Sequence, residues 1–318
     1  MSAAAGGPQT TLHLRLPATS ANLGPGFDAV AVALDFYLEI DAAPAAEFSI
    51  AGEGRDWDRC SRLEDNLILE AYKSLLRREG RPIVPLAIRM VNGIPLGMGC
   101  GSSAAGRLAA VALAVHFGCL DWDSAQILNE AYKLEGHPDN VAACWLGGFV
   151  AAGCNASSVE FVRIAPPPEW RAIVVLPAEP LATSKARAVL PECYSLADAI
   201  ANIQSVALLS GAFATARPDL LGLAMRDRIH QPYRAPICPL LPLILPLVGS
   251  QGIAGAALSG AGPAVLVIVG SADARYTAKD AIRSALAGQP PVELLDCAFS
   301  PGGATRLEGN PRAETLAG

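Results

Sequence analysis

The stretch IPLGMGCGSSAAGRLAAVALAVHFG, residues 94–118, sets Gly97, Gly99, Gly101, Ser102 and Ser103 directly ahead of a long apolar run. The run reads as a helix from about Ser103 to Phe117, so the glycines crowd its first turn. Glycine lets a backbone curl tightly and bring its N–H groups against an anion with no side chain between them. A helix start adds unpaired N–H donors and about half a positive charge. PLGMGCGSSAA, residues 95–105, therefore suits a nucleotide triphosphate, with Ser102 and Ser103 offering hydroxyls to cap the helix or to hold Mg²⁺. It is not a Walker loop, because Ser-Ser follows Gly101 and no lysine stands ready for the β- and γ-phosphates.

The rest of the chain narrows what such a loop serves. With 318 residues, 52% apolar and 17% charged, the composition is that of a globular protein of two ordinary domains. A net charge of −6 argues against nucleic acid as partner, so an anionic ligand has to be recruited locally. The most apolar stretch, 240–248, is broken by Pro242 and Pro246, and the N-terminus lacks the pattern of a secretory signal. A cytoplasmic protein without membrane or nucleic-acid partners is expected. Eight scattered cysteines without a C-x-x-C pair, and only four histidines, speak against zinc and against a disulfide framework.

Along the chain, LHLRLP and AVAVALDFYLEIDA read as strands, with FSIAGEG a partner for the second. DNLILEAYKSLLRREG reads as a helix capped by Asp65 or Asn66, and LAIRMVNGIP as the strand that delivers the glycine loop. DSAQILNEAYKLEG is a further helix, GGFVAA and VEFVRIAP are strands, and Pro166-Pro167-Pro168 marks a boundary. Beyond it come RAIVVLP as a strand, a helical region over roughly 195–228, a strand-turn-strand in AGAALSGAGPAVLVIVG, a helix and a closing strand, VELLDCAFS. The expectation is α+β in two domains, 11–165 and 166–300, with 1–10 and 301–318 as loose ends.

The loop resembles the P-x-x-x-G-L-G-S-S-A-A signature of the GHMP kinases, with Cys100 where leucine is usual. PATSANLGPGFDAVAVALD (17–35), LEGHPDNVAACWLGGF (134–149) and LSGAGPAVLVIV (258–269) resemble one group within it, the homoserine kinases, in the same order. The resemblance implies a two-domain fold, the second domain a ferredoxin-like sandwich, and ATP-dependent phosphorylation of the side-chain hydroxyl of L-homoserine, a step toward threonine. It implies ATP on Pro95, Leu96, Gly97, Met98, Gly99, Cys100, Gly101, Ser102, Ser103, Ala104 and Ala105. Mg²⁺ would sit on Ser103 and a glutamate, for which Glu135 is favoured over Glu130. Asn22, Asp28, His137, Asp139, Thr183, Arg187 and Arg234 would line the acceptor pocket, the arginines forking onto a carboxylate. Asn140 would meet the reacting hydroxyl and, with Ser103 and Glu135, make up the catalytic set. With a loose transition state, positioning and charge neutralisation suffice without a clear base. Such enzymes are often homodimers. A GHMP kinase for another small alcohol, or a silent ligand-binding member of the fold, stays open as an alternative. Two readings of Cys100 stand side by side: a thiol whose pKa is lowered by a helix start rich in N–H donors, so that alkylation inactivates and ATP protects, and a buried, inert thiol that fills the space of the usual leucine.

Overall fold

The computed structural model describes residues 11–155 and 158–306, so the stretches 1–10 and 307–318 lie outside the described residues. Its strands are β1 (Leu12–Asn22), β2 (Gly26–Pro44), β3 (Ser49–Gly54), β4 (Leu86–Asn92), β5 (Phe149–Asn155), β6 (Ser158–Ile164), β7 (Arg171–Leu176), β8 (Ile253–Leu258), β9 (Val265–Val269), β10 (Glu293–Cys297) and β11 (Thr305–Arg306). They form two sheets: β1–β6, which precede the triple proline, join with the late strand β11 in the first, and β7–β10 make the second.

The first sheet runs β11-β1-β2-β4-β3, with β5 paired to β2 and carrying β6. Strand β2 is long enough to serve two partners: residues 38–44 pair with β4 and residues 30–32 with β5. The alternation predicted for β1 is seen over Leu12, Leu14 and Leu16, which are buried while His13 and Arg15 are half-exposed. Two expectations are corrected here. FSIAGEG pairs with β4, in parallel, and not with β2. The loose end expected from residue 301 is ordered through residue 306: β11 pairs with β1 at Leu14↔Arg306, and Ala304 is buried. Residues 298–306 thus return to the first sheet, with Phe299 bridging Leu34.

The second sheet has the order β10-β7-β9-β8, all antiparallel. With the helices Leu196–Ala214 and Ala274–Ala285 between its strands, it is the β-α-β-β-α-β arrangement of a ferredoxin-like sandwich. The helix Leu196–Ala214 is, by length and composition, apolar enough to cross a bilayer. Its inner face is spent within the fold: Leu209, Ala212 and Phe213 are buried, and the Phe213 ring stacks on Phe149 of the first sheet at 4.3 Å.

The helix Ser102–Phe117 runs through the centre of the first domain. Every residue from Leu108 to Val115 is buried, as a helix apolar on all sides has to be. On one side lies the helix Leu67–Arg78, capped by Asn66, whose side chain accepts the N–H groups of Ile68 and Leu69 at 3.1 and 3.2 Å. On the other lies Ser124–Glu135, started by a capping box between Asp123 and Gln126.

Candidate active site

The glycine loop closes onto the other domain. Gly97, Gly99 and Gly101 all have φ between 71° and 78°. A Cβ on Gly99 would lie 2.0 Å from the Ser259 carbonyl oxygen, and one on Gly101 would lie 1.9 Å from Thr19 Oγ1. At both positions a side chain is excluded by close approach as well as by conformation. Ser259 Oγ donates to the Gly99 carbonyl at 2.8 Å, and Thr19 N–H donates to the Cys100 carbonyl at 3.1 Å. The loop is therefore fixed by β1 and by the turn between β8 and β9.

In front of it opens a cavity of about 410 Å³. Loop residues Leu96, Gly97, Gly99, Gly101, Ser102 and Ser103 form one wall. Asn22, Asp28, Glu135, His137, Asp139 and Asn140 line it from the first domain, and Thr183, Arg187 and Arg234 from the second. Pro95 and Met98 line an adjoining groove with Arg55 and Asp56. Cys100, Ala104 and Ala105 are wholly buried and line neither the cavity nor this groove.

The burial of Cys100 decides for the inert thiol and against the reactive one. Desolvation pushes the thiol up to about 12, against the small opposing effects of a Ser259 hydrogen bond and Arg55. The helix start cannot lower the pKa of a thiol that water does not reach. Alkylation of the folded chain should modify the exposed Cys119, Cys154 and Cys193 and spare Cys100. Mass spectrometry that finds Cys100 labelled while activity is retained would contradict this burial.

Ser103 and Glu135 are brought together: Ser103 Oγ donates to Glu135 Oε2 at 3.0 Å, and the glutamate side chain is 8% exposed. The same carboxylate oxygen accepts from Arg107, one turn beyond Ser103. Glu130 faces elsewhere, 2.7 Å from Arg78 Nη1 and 3.7 Å from Lys133 Nζ, and lines no part of this cavity. The hard oxygens of Ser103 and Glu135, beside a helix start, fit a Mg²⁺ ion carried in on a triphosphate.

A second group of side chains makes an acidic pole. Asp28, His137 and Asp139 place one ligand atom each within 4.8 Å of one another. His137 Nδ1 and Asp139 Oδ1 are 2.6 Å apart, and His137 Nε2 lies 3.8 Å from Glu135 Oε1. Burial pulls the His137 pKa down, but the hydrogen bond and charge of Asp139, then Glu135 and Asp28, outweigh it and leave the pKa raised. Asn22 holds the turn: its Nδ2 donates to the Gly260 carbonyl at 2.8 Å, and its Oδ1 accepts the Asp28 N–H at 3.0 Å. Asn140 Oδ1 accepts from Thr19 Oγ1 at 2.7 Å, so its amide NH₂ is the donor left for the cavity.

Against Asp28 stands a basic group. Arg187 Nη2 donates to Asp28 Oδ1 at 2.7 Å. Arg234 is 1% exposed and has no carboxylate partner among the described residues. Its Nε donates to the Ala186 carbonyl at 3.1 Å and its Nη1 to His230 Nδ1 at 3.1 Å. Burial, then the neighbouring Arg187, lower its pKa. Phe27 lies between these groups, its ring centroid 5.4 Å from the Arg187 guanidinium and 5.3 Å from that of Arg234.

Sequence reasoning missed Arg107, Phe27 and His230. The four-residue spacings Ser103/Arg107 and His230/Arg234, one helical turn each, were the available signal. It also missed a neighbouring cavity of about 400 Å³ lined by Leu38, Asn66, Ile68, Met90 and Ile94, which shares Arg59, Leu67, Leu96 and Ser102 with the first.

Many known proteins resemble this chain in sequence or in fold. The GHMP kinase N-terminal domain matches residues 66–148 and the GHMP kinase C-terminal domain residues 197–288. A homoserine kinase of Solibacter usitatus is 45% identical over 80% of this chain and 84% of its own length. The chain belongs to the homoserine kinase family of GHMP kinases. The homoserine kinase of Deinococcus radiodurans is 39% identical over 81% of this chain and 84% of its own. Among solved folds, the homoserine kinase of Cytophaga hutchinsonii superposes with a TM-score of 0.82 at 24% identity, over 96% of this chain and 100% of that one. The mevalonate kinase of L. major, solved with R-mevalonate, gives 0.64 at 16% identity, over 93% and 97%. This GHMP kinase thus has the two-domain α+β fold expected of it.

Proposed function

We propose that this GHMP kinase transfers the γ-phosphoryl group of ATP to the side-chain hydroxyl of L-homoserine, giving O-phospho-L-homoserine. The observation that carries the reading is Arg234, a cation 1% exposed and without an anionic partner among the described residues, in the wall of a cavity whose other pole is Asp28, His137 and Asp139. A buried unpaired guanidinium is costly, and a ligand carboxylate would offset that cost. A zwitterionic amino acid fits both poles. Its ammonium would take over Asp28 from Arg187, and its carboxylate would occupy the freed Arg187 together with Arg234.

The glycine loop would hold the triphosphate on its backbone N–H groups, which accounts for a phosphate loop without lysine. The cavity beside Asn66, where Leu38, Ile68, Met90 and Ile94 meet a polar rim of Arg62, Asp65 and Asn92, is the place for the base. Ser103 and Glu135 would hold Mg²⁺, which neutralises charge on the phosphates. Asn140, fixed by Thr19, would point its amide NH₂ at the reacting hydroxyl, whose proton can leave late in a loose transition state. A cytoplasmic location and a homodimer go with the same reading.

A coupled ADP-release assay over homoserine, mevalonate and galactose tests it. Turnover on homoserine alone is expected. Turnover on either other alcohol but not on homoserine would replace this reading, and no turnover on any would leave a ligand-binding member of the fold.

A further inference from the structure

His230 lies outside the cavity wall yet touches both halves of the proposed acceptor site. It is wholly buried, and its Nε2 stands 2.8 Å from the Gly24 carbonyl oxygen. A carbonyl only accepts, so Nε2 carries the hydrogen and Nδ1 is bare. The bare Nδ1 is the acceptor for Arg234 Nη1 at 3.1 Å. One imidazole therefore ties the turn that carries Asn22 and Asp28, in the first domain, to the buried guanidinium of the second.

The surroundings hold that ring in one orientation. Phe27 stacks on it with centroids 5.3 Å apart and planes 29° from parallel. Asp227 caps the short turn beneath it, accepting the N–H groups of Ile229, His230 and Gln231 at 2.9, 3.0 and 2.6 Å. The charged groups facing the imidazole are Asp227, Arg234 and Asp28. Burial, the largest influence, and Arg234 push its pKa down to about 4 against Asp227 and Asp28, so the ring is neutral near pH 7. With Nε and Nη1 of Arg234 engaged by protein acceptors, Nη2 is the edge left for a ligand.

We propose that His230 is a positioning residue for the acceptor: its Nδ1 aims Arg234 at the substrate carboxylate while its Nε2–H anchors the turn that presents Asp28. The proposal rests on the reading of Arg234 as the carboxylate-binding group. A neutral imidazole is suited to the task because it can donate on one side and accept on the other, which no protonated ring can do.

Two amide substitutions separate the two bonds. In His230→Gln the amide NH₂ can reach the place of Nε2 and still donate to Gly24, but Arg234 loses its acceptor. In His230→Asn the amide oxygen takes the place of Nδ1 and Gly24 loses its donor. For the full chain, His230→Gln should raise KM for homoserine about tenfold, with kcat, KM for ATP and KM for homoserine methyl ester all within about threefold of wild type. His230→Asn should raise KM for homoserine and ester alike, keeping the wild-type preference between them. Equal losses on both substrates in His230→Gln, or an unchanged preference in that variant, would overturn the proposal. ¹⁵N NMR of the wild-type chain near pH 7 tests it without any substitution: the Nε2–H tautomer of His230 is expected, and an Nδ1–H tautomer or an imidazolium would overturn it. A wild-type enzyme that used homoserine and its ester equally well would instead remove the underlying reading of Arg234.

Discussion

Arg234→Ala is expected to lower kcat/KM for homoserine by roughly 30-fold to several-thousand-fold while leaving ATP binding nearly unchanged. The range corresponds to the loss of about 2–5 kcal/mol when one partner of a buried charge-assisted contact is removed. The upper part of the range applies here because Arg234 is 1% exposed, so water cannot replace the lost guanidinium. Arg187, with a side chain 41% exposed and already engaged by Asp28, should cost less, about tenfold on truncation. Homoserine methyl ester keeps the ammonium and the hydroxyl but carries no anionic charge, so it should suffer far less from Arg234→Ala. The measurement is a two-by-two comparison of wild type and variant on homoserine and its ester. Equal losses on both would mean that Arg234 supports the fold or the nucleotide, and the carboxylate assignment would be withdrawn. Lysine at this position should not restore activity, since one ammonium cannot reproduce both the His230 contact and the Nη2 contact with a carboxylate.

The second large effect concerns the pair proposed to hold Mg²⁺. Ser103→Ala and Glu135→Gln should each lower kcat by about 100-fold or more, with smaller changes in the apparent constant for ATP. Ion-mediated charge neutralisation counts most as the phosphoryl group leaves, so the loss belongs in turnover. Glu130→Gln is the control. Glu130 is buried against Arg78 and Lys133 on another face of its helix, so it should lower Tm by a few degrees and leave kcat within about threefold. Near-wild-type turnover of Ser103→Ala at saturating Mg²⁺, or a larger kcat loss in Glu130→Gln than in Glu135→Gln, would reverse the assignment.

Much of this site could be read from residue order, for a local reason. A glycine loop before an apolar helix, a capped helix, or a strand with alternating burial is decided by neighbours a few positions apart. So the loop at 95–105, the helices at 67–78 and 124–135, and most strands of both domains were legible in the sequence, whereas the short helices Thr183–Ala188, Gln231–Arg234 and Leu241–Ile244 and the strand Thr305–Arg306 were not. The residues proposed for the acceptor came from motif resemblance, and in the fold Asn22, Asp28, His137, Asp139, Thr183, Arg187 and Arg234 all line one cavity.

What stayed hidden depended on distance along the chain. Glu130 and Glu135 are five residues apart, roughly 140° around an α-helix, so only one of them can face Ser103. Which one does is set by how the helix rotates against Ser102–Phe117, and no local pattern records that rotation. The parallel pairing of β3 with β4, and the return of residues 298–306 to the first sheet, are likewise contacts between distant segments. Cys100 shows the limit most plainly. Its sequence neighbours describe an activating helix start, but β1 and the β8–β9 turn close over the loop and exclude water, and exclusion of water determines the thiol's pKa. By itself the sequence determined the chemistry available along the loop and in the motifs. The tertiary structure decided which of those groups face a common cavity and which are sealed from it, because facing and sealing are properties of packed surfaces that segments far apart in the chain create only together.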